Sequence, residues 1–157
     1  MAREHHYKLQ LRWTGNRGEG TGGYRSYDRS HEIHVEGKPV IIGSSDPTFM
    51  GDPSLHNPED LLVASLSACH MLWYLHLCSD AGIIVTAYED GASGAMVEAS
   101  GGAAQFTSVV LRPRVTIKTG GDIENAKHLH ERANELCFIA RSVNFPVTHE
   151  PEILTEG

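Results

Sequence analysis

Hydrophobic and polar side chains alternate at the start of the chain. Tyr7, Leu9, Leu11 and Trp13 are interleaved with Lys8, Gln10 and Arg12, the period-two signature of a strand with one buried face. A glycine-rich turn is expected over Thr14–Gly23. A second strand is expected over Tyr24–Val35, bent near Asp28, and a third over Lys38–Ile42. Gly43–His56 is dense in Gly, Pro, Ser and Asp and reads as a loop.

The period changes at Asn57. Asn57 is a good N-cap, Pro58 suits the first helical position, and Glu59 and Asp60 complement the positive helix N-terminus. The predicted helix runs to about Ala81 and stops at Gly82. Leu61, Leu62, Val63, Leu66, Met71, Leu72, Trp73, Leu75 and Leu77 leave almost no polar face, which predicts burial on most sides. His70 and His76 interrupt this stretch, so it reads as a core helix and not as a membrane span.

Strands are expected next over Ile83–Glu89, Ala95–Ser100 and Gln105–Lys118, the last with Pro113 marking an edge or a bulge. Asp122 caps a second helix, whose apolar residues from Ile123 to Val143 recur at spacings of three and four. Asn144 and Pro146 end it, and Val147–Leu154 is a last strand. Strands grouped in runs predict an α+β fold with antiparallel sheets and two helices. One domain over residues 1–157 is expected: an N-terminal β region and loop (1–56), the central helix (57–81) and a β-β-β-α-β half (83–157).

Composition narrows the class. The chain has 157 residues, 40% hydrophobic and 21% charged, with a formal net charge of −7. These values fit an ordinary globular protein and exclude a disordered chain. The acidic balance argues against nucleic-acid binding, which relies on clustered Lys and Arg. Three cysteines, an odd number, argue against a disulfide scaffold. Met1–Gln10 has no apolar signal-peptide core, so a cytoplasmic protein with reduced thiols and no membrane partner is expected.

Few residues carry candidate chemistry. Cys69 lies mid-helix within Leu66-Ser67-Ala68-Cys69-His70, and Cys137 lies on the apolar stripe of the second helix. Each is either a small core residue or a functional thiol. Cys78, one turn before Gly82, reads as core or interface filler. Gly22-Gly23-Tyr24-Arg25-Ser26-Tyr27-Asp28-Arg29 offers two arginines, each a surface charge or a cation that a carboxylate such as Glu59 could hold. The ten histidines raise the question of a metal. His70/His76 and His128/His130 lack the i,i+4 helical spacing, His31 and His34 fall on opposite strand faces, and there is no C-x-x-C. No metal and no cofactor is expected.

The opening Asn57-Pro58-Glu59, with Ala68-Cys69 ten residues after the Glu, resembles the OsmC/Ohr family of organic-hydroperoxide reductases. So does a second Cys 68 residues later with a Pro-containing exit into a final strand. The resemblance covers nearly the whole chain and is strongest over Asn57–Cys69 and Ala133–Pro146. It departs at His70, where Ohr-type members usually carry Phe, at the extra Cys78, and in the loop Gly43–His56. The resemblance implies an intertwined homodimer with the long Cys-bearing helices buried at its centre. It also implies a reactive Cys69, a resolving Cys137, a carboxylate at Glu59 and an arginine at Arg25 or Arg29. The implied reaction is reduction of alkyl or fatty-acid hydroperoxides through a Cys69 sulfenic acid and a Cys69–Cys137 disulfide. A thiol reductant, in the family often a lipoylated protein, then regenerates the thiols.

A thiol in an apolar helix is inert unless a cation favours the thiolate. On one straight helix Glu59 and Cys69 stand about 15 Å apart along the axis and roughly 80° apart around it. A single arginine between them is therefore expected to be shared across a dimer. Leu66, Met71, Leu72, Trp73, Phe138 and Phe145 are the expected apolar substrate pocket. Two other readings stay open, an apolar-ligand binder and a metal site built from Cys69, His70 and Cys137.

Overall fold

In the computed structural model, which describes all 157 residues, the chain divides into two units, Met1–Leu61 and Leu62–Gly157. In the first unit β1 (Gln10–Trp13), β2 (His31–His34) and β3 (Ile41–Gly43) form an antiparallel sheet in that order. Leu11 pairs with Ile33 and Ile33 with Ile41, so these three apolar residues share one face. Leu11 is 61% exposed and Ile41 42%.

The first and third strands start later than the alternation predicts, and the second is much shorter. Residues 24–30 fold into turns instead. Ser26 Oγ donates to Gly23 O (2.7 Å), and Trp13 Nε1 donates to Asp28 O (2.8 Å). These bonds curl the segment away from the ladder, leaving an isolated bridge between Asn16 and Tyr27 before the chain joins the sheet at His31. The loop after β3 holds one 3-10 turn, Pro47–Phe49, and is pinned at buried Ser44, whose Oγ accepts the Asp52 N–H (3.0 Å).

Helix α1 (Pro58–Asp80) starts as its cap predicts, with Asn57 Oδ1 accepting the Asp60 N–H (2.8 Å). It ends where Gly82 takes a φ of +72° and the Ile83 N–H reaches back to Cys78 O (2.9 Å). Its burial differs from expectation. Only Leu66, His70, Tyr74 and Cys78, four residues apart, are buried, while Leu72 is 63% exposed. One chain covers a single stripe of this helix.

The second unit adds β4 (Val85–Asp90), β5 (Ser93–Glu98), β6 (Ala104–Leu111), β7 (Pro113–Ile117), α2 (Ile123–Leu136), β8 (Val147–His149) and β9 (Glu152–Thr155). They form two sheets, β4-β7-β9 and β5-β6-β8. The long strand expected over Gln105–Lys118 is broken at Arg112. Its N–H donates to Asp90 Oδ1 (2.6 Å), and Pro113 has no N–H to offer. The last strand is split by Pro151 in the same way, so the two broken strands run side by side through both sheets. Their pairings, β6 with β8 and β7 with β9, are parallel, which makes the sheets mixed and corrects the antiparallel expectation. Helix α2 stops at Leu136 and not near Val143; a 3-10 turn, Ala140–Ser142, follows.

Two hydrophobic clusters fill the second unit. Tyr74 and Cys78 of α1 pack with Val115, Ile117, Ala126 and Ala133. Leu66 packs with Val109 and Leu111, flanked by Phe106 and Phe145. Leu66 is fully buried, so Leu66→Ala is expected to cost about 2–5 kcal/mol, read as a lowered urea midpoint with an unchanged m-value.

Candidate active site

The α1 stripe lies against α2 in antiparallel register. Tyr74 Oη donates to the Ala126 carbonyl (2.9 Å), and four residues on, His70 Nε2 meets His130 Nδ1 at 3.0 Å. At the end of α2 Cys137 neighbours Cys69, closely enough for Cys69 to bear on its ionisation. Cys69 is half-buried and Cys137 is buried; neither is in a disulfide. Cys137 has left the helix (φ −62°, ψ 113°), and its Sγ accepts the Ala140 N–H (3.4 Å).

The environment distinguishes the thiols. Burial pushes the Cys137 thiol up to about 11, the Ala140 N–H opposing and neighbouring Cys69 adding to the rise. Cys137 is therefore protonated at neutral pH and is a poor first nucleophile. Burial also raises Cys78, which sits in the core beside Tyr74.

A histidine cluster that spacing rules could not find includes His70, the neighbour of Cys69 in sequence. His70 and His130 are fully buried, with rings nearly parallel (6°) and centroids 5.3 Å apart. Tyr74 stacks on His130 at 3.8 Å, and His149 of β8 lies 5.7 Å from His70 and 6.1 Å from His130. His70 Nδ1, His130 Nε2 and His149 Nδ1 are buried without a hydrogen-bond partner. Sixty residues of sequence separate the bonded pair, so only tertiary register brings it together. No three His, Cys, Asp or Glu side chains are placed to hold a metal ion together, and His70 is committed to His130.

Of the two arginines, the fold holds Arg29. Its guanidinium lies over the rings of Tyr24 (4.4 Å) and Tyr27 (4.1 Å) and donates to both of their carbonyls (2.7 and 2.6 Å). Arg25 is exposed, and its carbonyl accepts a bond from Arg17. Glu59 is half-buried, and its Oε2 is buried with no partner. The expected pocket residues fall into two groups. Leu72, Trp73 and Phe138 line a cleft of about 270 Å3 with His76, and Trp73 meets Phe138 edge-on at 5.5 Å. Leu66 and Phe145 instead belong to the second core cluster, and Met71 is half-buried on α1.

Residues 51–152 match the family model described as OsmC-like protein. The chain belongs to that family, the OsmC/Ohr proteins, whose solved structures include organic hydroperoxide resistance proteins. An OsmC-like protein of unknown function from Vibrio cholerae is 30% identical and superposes with a TM-score of 0.84 over 95% of this chain and 100% of that one. Uncharacterized protein YmaD of Bacillus subtilis is 23% identical over 145 residues, 89% of this chain and 87% of that protein. The organic hydroperoxide resistance protein OhrB of Bacillus subtilis shares the fold at 20% identity, with a TM-score of 0.62 over 93% of this chain and 98% of that one.

The histidine cluster sets a pH dependence. Burial holds His70 down to about 4, with His149 adding and Asp90 opposing, and holds His130 down to about 3, with His70 and His149 adding. The unfolded chain binds these protons near 6.5, so it holds more protons than the folded one as pH falls. Stability is then complete above about 6.5 and is lost toward pH 4, on the order of 3 kcal/mol for His70 alone. Urea midpoints across this range should fall in wild type and fall less in His70→Leu/His130→Leu; identical profiles would contradict the assignment.

Proposed function

We propose that the protein is a thiol-dependent peroxidase that reduces organic hydroperoxides to alcohols. The observation that carries this reading is that buried, protonated Cys137 at the end of α2 neighbours half-buried Cys69, closely enough for Cys69 to bear on its ionisation. In this reading the Cys69 thiolate attacks the distal peroxide oxygen. The O–O bond breaks, the alkoxide leaves as an alcohol after taking up a proton, and Cys69 becomes a sulfenic acid. The Cys137 thiol then attacks the Cys69 sulfur, water leaves and a disulfide forms. A thiol reductant, in our reading a lipoylated protein, returns two electrons and two protons by exchange.

In this reading an arginine stabilises the Cys69 thiolate and Glu59 holds that arginine, with Glu59 or the arginine supplied by the second copy of the chain. Arg29, already clamped by two tyrosines, is the better candidate, and Arg25 the alternative. The unpartnered Oε2 of Glu59 is an acceptor awaiting a donor. The apolar cleft of Leu72, Trp73 and Phe138 favours an alkyl or fatty-acid hydroperoxide over hydrogen peroxide. A second copy of the chain would cover the exposed Leu11–Ile41 face and the uncovered sides of α1, so we infer a homodimer. Sizing should give about twice 17.2 kDa; a stable monomer would remove the dimer from this reading. The cleft could equally hold an apolar ligand without turnover, but a binder has no use for a second thiol poised against the first.

One equivalent of cumene hydroperoxide should consume two thiols in wild type. It should leave a trappable sulfenic acid in Cys137→Ser and no thiol loss in Cys69→Ser. Wild type that keeps all its thiols would favour the ligand-binding reading.

A further inference from the structure

We propose that His70 and His130 are positioning residues for the thiol pair: their hydrogen bond sets the register of α1 against α2 and so keeps Cys69 and Cys137 within bonding reach. This inference rests on the Cys69–Cys137 pairing proposed above and adds what maintains it. The helices meet in two hydrogen-bonded steps. Tyr74 bonds the Ala126 carbonyl and His70 bonds His130, while Cys137, past the last residue of α2, neighbours Cys69. Each helix advances four residues between the two steps, in opposite directions.

The steps are not equivalent. The first uses a backbone carbonyl, and every turn of α2 presents one. A slip of α2 by one turn, about 5.4 Å, would still offer Tyr74 an acceptor. The second step joins two side chains found at one position each. The same slip would separate the imidazoles and strand both in the core, where an unpartnered polar group is costly. The imidazole pair therefore selects one register, as a polar pair in an apolar seam can.

The surroundings hold the pair in orientation. Tyr74 stacks on the His130 ring, and His149 closes another side from β8. Asp90 is the carboxylate that acts on His70. It is tied on one oxygen to Ser67 Oγ of α1 (2.5 Å) and on the other to the Arg112 N–H (2.6 Å). Glu131, on α2, acts on His149. Between them, His70 Nε2 and His130 Nδ1 share one proton, so one ring donates and the other accepts. His70 adjoins Cys69 in the chain, and His130 lies two turns before Cys137.

The test is the thiol–disulfide equilibrium of the full-length protein in glutathione buffers at neutral pH. Cys69 and Cys137 give two electrons and two protons to glutathione disulfide, which leaves as two glutathione thiols. In His70→Leu the equilibrium constant should fall about tenfold. In His70→Gln, whose amide can occupy the place of Nε2, it should stay within roughly threefold of wild type. Leu111→Ala, a core lesion on β6, should lower the urea midpoint and leave the equilibrium unchanged. If His70→Leu does not fold, His70→Leu/His130→Leu leaves no imidazole unpaired and should show the same fall. A wild-type constant in the leucine variants, or an equal shift in Leu111→Ala, overturns the proposal. A wild type that never forms the disulfide overturns the pairing and this inference with it.

Discussion

Helix α1 fully buries one side chain per turn against the rest of its unit. Leu66, His70, Tyr74 and Cys78 are the buried stripe, and the order of these four residues decides the interior. Leu66 anchors one hydrophobic cluster, while Tyr74 and Cys78 anchor the other. His70 falls between them as a polar group in a dry place, and a dry imidazole requires a partner. The partner is His130, which fixes where α2 passes. The smaller residues of α2, Ala126 and Ala133, make room for the aromatic ring of Tyr74. Cys69 lies on the flank of this stripe, next to His70.

Local rules in the sequence located both helix starts, because a cap is a short-range interaction. Asn57 and Asp122 each bond an amide three residues on, as their neighbours imply. Local rules failed where a distant group took over the backbone. The break at Arg112 depends on the carboxylate of Asp90, 22 residues earlier. The early end of α2 follows the turn through Cys137 and not the apolar spacing that continues to Val143. Parallel pairing of β8 and β9 was likewise hidden, since alternation does not encode strand direction.

The candidate site was legible in part for the same reason. Position alone left Cys69 and Cys137 as either core residues or functional thiols, and it was the resemblance that singled them out. The choice between Arg25 and Arg29 depended on turns that bring two tyrosine rings and two carbonyls around one guanidinium, and no spacing rule encodes that. The histidine cluster lay beyond any periodicity, because its members come from α1, α2 and β8. What did hint at it was His70 itself, a charged-capable residue where the pattern asked for an apolar one.

One backbone group touches the sulfur that the proposed cycle would oxidise. The Ala140 amide rests on Cys137 Sγ, outside the helix and ahead of the 3-10 turn. In the proposed cycle, turning Sγ to bond another sulfur would reorient its lone pairs, and this amide would lose or keep its acceptor accordingly. No helical hydrogen bond of α2 has to break, because Cys137 already lies past the last helical residue. In that cycle the oxidation state would be written into the exchange rate and nuclear shielding of a single N–H, a built-in reporter that needs no label.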